Sequence, residues 1–145
     1  MSSYANASTD LITYGLPATA LTLISLTVQQ AECDAASDVA DGYLNGRYEM
    51  PLVPPYPISL VMAVCKIAAF NLMSVRGFSM AAGADVLLAK RHDDAIEWLK
   101  GVQQQRIHPI LTPAADPNGA MVQPKVRTES VIFVQNGQQG PQRGW

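Results

Sequence analysis

Three aspartates at helical spacing are the first candidates for chemistry in this sequence. Asp34, Asp38 and Asp41 recur at i, i+4 and i+7, so one helix face would gather three carboxylates. Carboxylate oxygens in such a row could hold a hard cation. More often the row is a solvated helix face, or an acidic patch that meets a basic neighbour. The sequence favours that second interpretation.

The other residues suited to catalysis or metal binding form incomplete sets. Residues 77–81, GFSMA, are one residue short of the G-x-S-x-G nucleophile elbow, which needs a preceding strand where a helix is predicted here. His92 is followed by two aspartates but has no second His or Cys one turn away to complete a zinc site. His108 has no identifiable partner, and there is no G-K-[ST] phosphate loop. We therefore predict no catalytic, cofactor-binding or metal-binding residues, and no cofactor.

The sequence also contains two cysteines that could form a disulfide or bind a metal. Cys33 and Cys65 are too few and too separated for a disulfide scaffold or a metal site. Both lie in apolar, helical-looking surroundings, where a free Cys packs like a small hydrophobe. We expect both to be reduced residues of the core.

The length and the net charge of the chain limit the kinds of fold and partner that are expected. The 145 residues suit one domain, and the net charge of −2 makes no whole-chain case for nucleic-acid binding. Residues 1–75 hold two basic and six acidic residues, net −4, whereas residues 76–145 hold eight basic and six acidic, net +2. Opposite halves could help copies associate head to tail.

Apolar periodicity predicts an all-α fold, a small bundle of about five helices. Two short helices are expected at 10–15 and 17–23, and three longer ones at 28–45, 57–76 and 84–105. Thr27 is the expected N-cap of the first long helix. The predicted core stripes are Val28, Ala31, Ala35, Val39 and Tyr43 on that helix, and Val86, Leu87, Ala95, Leu99 and Val102 on the last.

The most apolar stretch, residues 58–73, is interrupted by Lys66 and Asn71. It falls short of a membrane span and is typical of a buried helix. We expect this helix to be the hydrophobic centre of the fold, and we expect no membrane partner.

Residues 41–57, DGYLNGRYEMPLVPPYP, are named here the corner, because they should turn the chain between two long helices. Gly46 could take the left-handed conformation that ends a helix, and four prolines deny helix until Pro57 restarts one. Arg47 could pair with Asp41 or Glu49, contact a neighbouring molecule, or remain solvated. The predicted structural residues of the corner are Tyr43, Gly46, Arg47, Tyr48 and Pro51.

Residues 1–106 are the predicted helical body and residues 107–145 an extended C-terminal arm. The arm holds five of the ten prolines, and only 128–135, TESVIFVQ, has strand character. A lone strand needs a partner edge, which it could find by adding to another protein's sheet. The predicted partner-contact residues of the arm are Val131, Ile132, Phe133, Val134 and Trp145.

Three stretches together resemble a known family. They are 10-DLITYG-15, 41-DGYLNGRYEMPL-52 and 91-RHDDAIEWLKGV-102. The sequence from residue 10 to residue 105 resembles the small, mostly helical phage proteins typified by the Mu-like Gp36 protein. Members of that family sit in the structural gene cluster of tailed phages and resemble head–tail connector, or adaptor, proteins.

The resemblance implies a structural role without catalysis or a cofactor. It implies a ring, expected to contain twelve copies, beneath the portal in the neck of the virion, assembled in the cytoplasm of the bacterial host. The implied partners are the portal protein, neighbouring copies of the chain, and a tail-side neck or tail-terminator protein. DNA would pass through the ring without sequence-specific binding.

Other functions remain open at this stage. A stopper or tail-completion protein of the neck would be richer in β-structure than this sequence. A small helical DNA-binding regulator would need a basic recognition helix, and residues 84–105 are too acidic for one. An enzyme would need a nucleophile–base pair or a metal set.

Overall fold

Helix-forming stretches separated by Pro- and Gly-containing turns divide the chain into five helical segments. The computed structural model describes residues 3–75 and 83–112. A π-helical turn spans Leu11–Gly15, followed by α1 (Ala18–Leu21), α2 (Leu26–Leu44), α3 (Ile58–Val75) and α4 (Gly83–Gln103). Within the described residues the fold is all-helical with two short and three longer helices, as predicted. The predicted strand at 128–135 and the GFSMA segment lie outside the described residues.

Helix α3 is the hydrophobic centre of the fold. It packs against the π-helical turn, α2 and α4. Each large side chain it buries contributes about 1.5–3 kcal/mol. By length and composition alone α3 could also cross a membrane; in this fold it is the central helix. Its buried residues are Leu60, Ala63, Val64, Cys65, Ile67, Ala68, Ala69 and Leu72.

Helix α2 buries a different face from the one its apolar pattern predicts. The predicted core residues Val28, Ala31, Ala35 and Val39 are exposed, and Tyr43 is only half-buried. The helix also begins earlier, because Ser25 rather than Thr27 is its N-cap, with Ser25 Oγ accepting a hydrogen bond from the Val28 amide. The residues that α2 buries are Gln29, Cys33, Ala36, Ser37, Ala40 and Leu44.

Two polar residues on that buried face explain the error in register. The side-chain amide of Gln29 donates to the carbonyls of Leu21 and Ile24, at 3.3 and 2.7 Å. Ser37 Oγ donates to the Cys33 carbonyl and accepts from the Tyr4 amide at 3.0 Å. Buried polar groups need such partners. Because the partners at Tyr4, Leu21 and Ile24 lie outside α2, the local pattern of the helix does not reveal that this face is buried.

The first residues of the described chain form a second layer over α2. Tyr4 is 2% exposed, and its ring meets the Tyr56 ring edge-on with centroids 4.9 Å apart. The Tyr4 hydroxyl donates to the carboxylate of Asp41, and Gln30 Nε2 donates to Asp34 Oδ1 at 2.9 Å. Burial raises the pKa of Asp41, although the Tyr4 hydroxyl opposes the shift. Two of the three aligned aspartates therefore hold local structure, and only Asp38 is exposed.

The predicted stripe of α4 is correct in its second half alone. Ala95, Leu99 and Val102 are buried, whereas Val86 and Leu87 are 45% and 56% exposed. Periodicity locates the apolar face of a helix, but burial also requires a neighbouring element along the whole length of that face. No element among the described residues covers the first two turns.

Candidate functional site

The corner includes the last turn of α2, and a left-handed glycine is not what ends this helix. The amides of Arg47 and Tyr48 both donate to the Leu44 carbonyl at 2.9 Å, which closes the last turn. Gly46 has no positive φ, and a Cβ added to it would meet nothing within 4 Å. The expectation of a left-handed Gly46 is therefore wrong. The turn is closed by right-handed backbone, with Asn45 at φ −57° and ψ −30°.

A left-handed residue appears instead at the end of α4. Gln105 has φ 61°, the value that usually selects glycine. Its amide donates to the Val102 carbonyl at 3.0 Å, and the Arg106 amide donates to the Gly101 carbonyl at 2.8 Å. These two bonds make a Schellman motif, with Gln105 in the position that glycine normally fills. Ile107 folds back so closely that a Cβ on Gly101 would lie 2.7 Å from its Cδ1 atom.

Arg47 joins the two helix ends. Its Nη1 donates to the carbonyls of Val102 and Ile107, at 2.6 and 2.8 Å, and its Nη2 contacts Nδ1 of His108. A guanidinium suits this place because the free carbonyls at a helix C-terminus carry partial negative charge. Arg47 therefore does not pair with Asp41 or Glu49 as predicted, because its guanidinium is directed to the carbonyls of Val102 and Ile107.

Tyr48 completes the contact between the corner and the chain after α4. It is 5% exposed, and its hydroxyl donates to the Pro109 carbonyl at 3.3 Å. Burial raises the pKa of the Tyr48 phenol, and the neighbouring Arg47 charge opposes the shift. The guanidinium carbon of Arg47 lies 5.3 Å from the centre of the Tyr48 ring, within range of a cation–π interaction.

One backbone hydrogen bond extends this contact further. The Val53 amide donates to the Thr112 carbonyl at 2.8 Å. Residues 107–112, the first six of the predicted arm, therefore lie against the corner. We name this segment the clamp. The rest of the arm, with its predicted contact residues Val131, Ile132, Phe133, Val134 and Trp145, lies outside the described residues.

The predicted corner residues differ in their roles. Arg47 and Tyr48 meet the clamp, and Tyr43 is half-buried against the core. Gly46 and Pro51 are exposed. Sequence reasoning missed the residues on the other side of the contact, namely Gly101, Gln105, Ile107 and His108. A glycine placed six residues before an isoleucine is the only local signal for them, and it is weak.

The chemistry available at the corner is structural. Its donors are satisfied by backbone carbonyls, and no buried side-chain N or O atom in residues 3–75 and 83–112 lacks a hydrogen-bond partner. The same residues contain no group of three His, Cys, Asp or Glu able to hold a metal ion. Cys33 and Cys65 are buried and free, and burial raises the pKa of each thiol to about 12. The arrangement can fix the angle between α2 and α4.

Comparison with protein families gives a match that covers most of the sequence. The family model described as Bacteriophage Mu, Gp36 matches residues 6–127. The match includes the corner, the clamp and part of the predicted arm, and so extends past the 10–105 stretch on which the sequence resemblance rests. A comparison with curated proteins finds no match. The chain belongs to the phage Mu Gp36 family.

Proposed function

We propose that this chain is a structural protein of the virion neck, a head–tail connector that forms a ring beneath the portal and joins the capsid to the tail. The observation that carries the proposal is the family match over residues 6–127. The match supports a phage protein, and the connector role is what the sequence resemblance to this family implies. The proposal gives the chain no catalytic, cofactor or metal role.

The geometry of the corner supports this role. A connector subunit needs a body of fixed shape, since small errors in each subunit would accumulate around a ring. Arg47 and Tyr48 bind backbone carbonyls from the end of α4 and from the clamp, so the two helices cannot change their angle without breaking these bonds.

The proposed partners follow from that position. The portal protein would contact the ring from the head side, and a tail-side neck or tail-terminator protein from the other. DNA would pass through the ring without sequence-specific binding. The exposed acidic residues Asp93, Asp94 and Glu97 on α4 disfavour a regulator that reads DNA with this helix.

The test is a phage that does not produce the chain, examined by electron microscopy. We expect DNA-filled heads separated from finished tails, and restored particles when the wild-type chain is supplied. Imaging of restored particles should place a ring of the chain directly below the portal. Density one layer lower would favour the stopper alternative. Normal particles formed without the chain would refute both the connector and the stopper roles. A chain that is absent from particles but slows the migration of DNA in a gel would support a regulator.

A separate variant tests the arm. Removal of residues 113–145 leaves the body and the clamp, so the shortened chain should fold but fail to join heads to tails. Normal joining by the shortened chain would contradict a partner-binding role for Val131, Ile132, Phe133, Val134 and Trp145.

A further inference from the structure

Helix α2 presents an apolar face to solvent. Val28 and Val39 are 48% and 41% exposed, and Ala31 and Ala35 between them are exposed as well. These residues recur at three- and four-residue steps, so they share one face. The carboxylates of Glu32 and Asp38 flank the face on its two sides, and α2 contains no Lys or Arg. We name it the α2 outer face.

A groove lies at one end of this face. It has a volume of about 560 Å³, and its lining includes Leu26, Ala31 and Asp34. Leu26 is 58% exposed, and Leu23 just before the helix is 85% exposed. An apolar surface with an adjoining groove and acidic borders is typical of a protein–protein contact site.

Residues 86–91 of α4, which follow Asp85 in its first turn, have the complementary character. Val86 and Leu87 are exposed, and Lys90 and Arg91 follow them one turn later, also exposed. Aliphatic side chains next to two cations match, in chemistry and in sign, an aliphatic stripe next to two carboxylates. We name these residues the α4 basic turn.

We propose that copies of this chain associate head to tail, with the α2 outer face of one copy receiving the α4 basic turn of the next. The two surfaces lie on different helices, so the contact is heterologous and can propagate around a ring. The inference rests on the proposed function, since it names the surfaces by which neighbouring subunits of that ring would meet.

The charges select this occupant among the alternatives. Two α2 outer faces would bring four carboxylates together, so a symmetric contact between them is disfavoured. The phosphates of DNA are repelled by the same carboxylates. The α4 basic turn carries both an apolar surface and cations, and every copy of the chain supplies it.

Cross-linking of introduced cysteines tests the contact. The variant Ala35→Cys/Leu87→Cys of the full chain carries one thiol on each surface, and a short bismaleimide is added to the concentrated protein and to assembled particles. The native thiols stay out of the reaction because Cys33 and Cys65 are buried. We expect a ladder of dimers, trimers and larger products from the double variant, and monomer from each single variant.

Other products would overturn the inference. Dimers from Ala35→Cys alone would show a symmetric α2 contact. An absence of a ladder in both preparations, with both thiols confirmed present, would show that neighbours meet elsewhere or that another segment covers the α2 outer face. Either result leaves the connector role standing, because that role is tested separately by the loss of head–tail joining.

A charge exchange in the same double-cysteine chain tests the electrostatic part. Asp38→Lys should reduce the yield of the ladder several-fold at low salt, the effect expected for one exposed ion pair. Adding Lys90→Glu should restore it. Glu49→Lys makes the same charge change outside both surfaces and should leave the ladder intact. A ladder that is insensitive to Asp38→Lys, or equally reduced by Glu49→Lys, would contradict the proposed pairing.

Discussion

Gln105 occupies a backbone conformation that an L side chain adopts at a cost. Its φ of 61° ends α4 in the position where glycine is usual. Gln105→Gly should therefore stabilise the fold by roughly 0.5–1 kcal/mol, because it removes a left-handed side chain while keeping both Schellman hydrogen bonds. Urea denaturation measures the change. Gln103→Gly, at the last residue of α4, is the matched control and should instead destabilise the fold, because a helical glycine loses more backbone entropy on folding. If both substitutions destabilise the fold, or both stabilise it, the left-handed conformation of Gln105 would be contradicted.

Substitution of Arg47 measures how much its guanidinium contributes to the stability of the fold. Arg47→Met keeps most of the apolar stem but removes the guanidinium donor from the carbonyls of Val102 and Ile107. The Val102 carbonyl still accepts from the Gln105 amide, so the loss falls mainly on the Ile107 carbonyl. We expect a loss of about 1–3 kcal/mol in the free energy of unfolding. Arg47→Lys should recover only part of it, because an ammonium cannot reproduce the planar fork. Arg91→Met, at an exposed position, should change nothing, and a comparable loss there would argue against a specific effect at the corner.

The two buried thiols predict how stability depends on alkaline pH. Burial raises the pKa of Cys33 and Cys65 from 9.0 to about 12. Between these values the unfolded chain releases thiol protons that the folded chain retains, so stability is fully present below pH 9 and falls as pH rises toward 12. Urea denaturation at about pH 8 and about pH 10.5 should show a loss in the wild type. The loss should be smaller in Cys33→Ala/Cys65→Ala; an equal loss would assign it to other groups.

At the scale of elements, the sequence predicts the helices better than it predicts their faces. The five segments and the central place of α3 follow from apolar spacing and from turn residues such as Pro57, whose carbonyl accepts the first helical bonds of α3 from Leu60 and Val61. The predicted α2 stripe is wrong because two adjacent stripes compete on that helix. Contacts from Tyr4 and Leu21 decide between them, and no local pattern encodes those contacts.

In the corner, too, the sequence predicts which residues make contacts but not what they contact. The many Tyr, Arg and Pro residues in 41–57 indicate a structural role for this segment. Arg47 and Tyr48 form its contacts. Their partners are backbone carbonyls roughly sixty residues away, which have no side-chain signature. The sequence therefore suggests a carboxylate partner for Arg47, whereas in the structure its partners are carbonyls at the end of α4 and in the clamp.

The clamp offers a comparison between two isoleucines of one short segment. Ile107 is half-buried and lies against Gly101, whereas Ile110 is 88% exposed. Ile107→Ala should cost about 1–2 kcal/mol, less than a fully buried residue would. Ile110→Ala removes the same atoms and should cost almost nothing. Thermal melting of the two variants checks this, and similar melting temperatures would show that the clamp does not pack as described.

At the scale of the whole molecule, segments from both ends of the described chain stabilise the helical core. Residues 3–10 cover α2 through Tyr4 and Gln30, and the clamp joins the corner to the end of α4. Neither segment has helical periodicity, so composition alone assigns both to loops. The contacts of the clamp reach Thr112, six residues past the boundary at residue 106 that the sequence predicts, and that boundary stays a prediction.

Two truncations separate these boundaries. A chain ending at residue 112 keeps the carbonyls of Ile107, Pro109 and Thr112, which accept from Arg47, Tyr48 and Val53, and it should melt like the full chain. A chain ending at residue 106 loses those three hydrogen bonds, the bond from the Ile107 amide to the Gly101 carbonyl, and the contact of Arg47 with His108. It also loses the apolar contacts of Ile107 and Leu111. At about 1 kcal/mol per bond plus the lost burial, it should be less stable by roughly 4–6 kcal/mol, a large part of a typical domain's total. If both truncations melt alike, the clamp belongs to the arm; if only the shorter one is destabilised, residues 107–112 belong to the body.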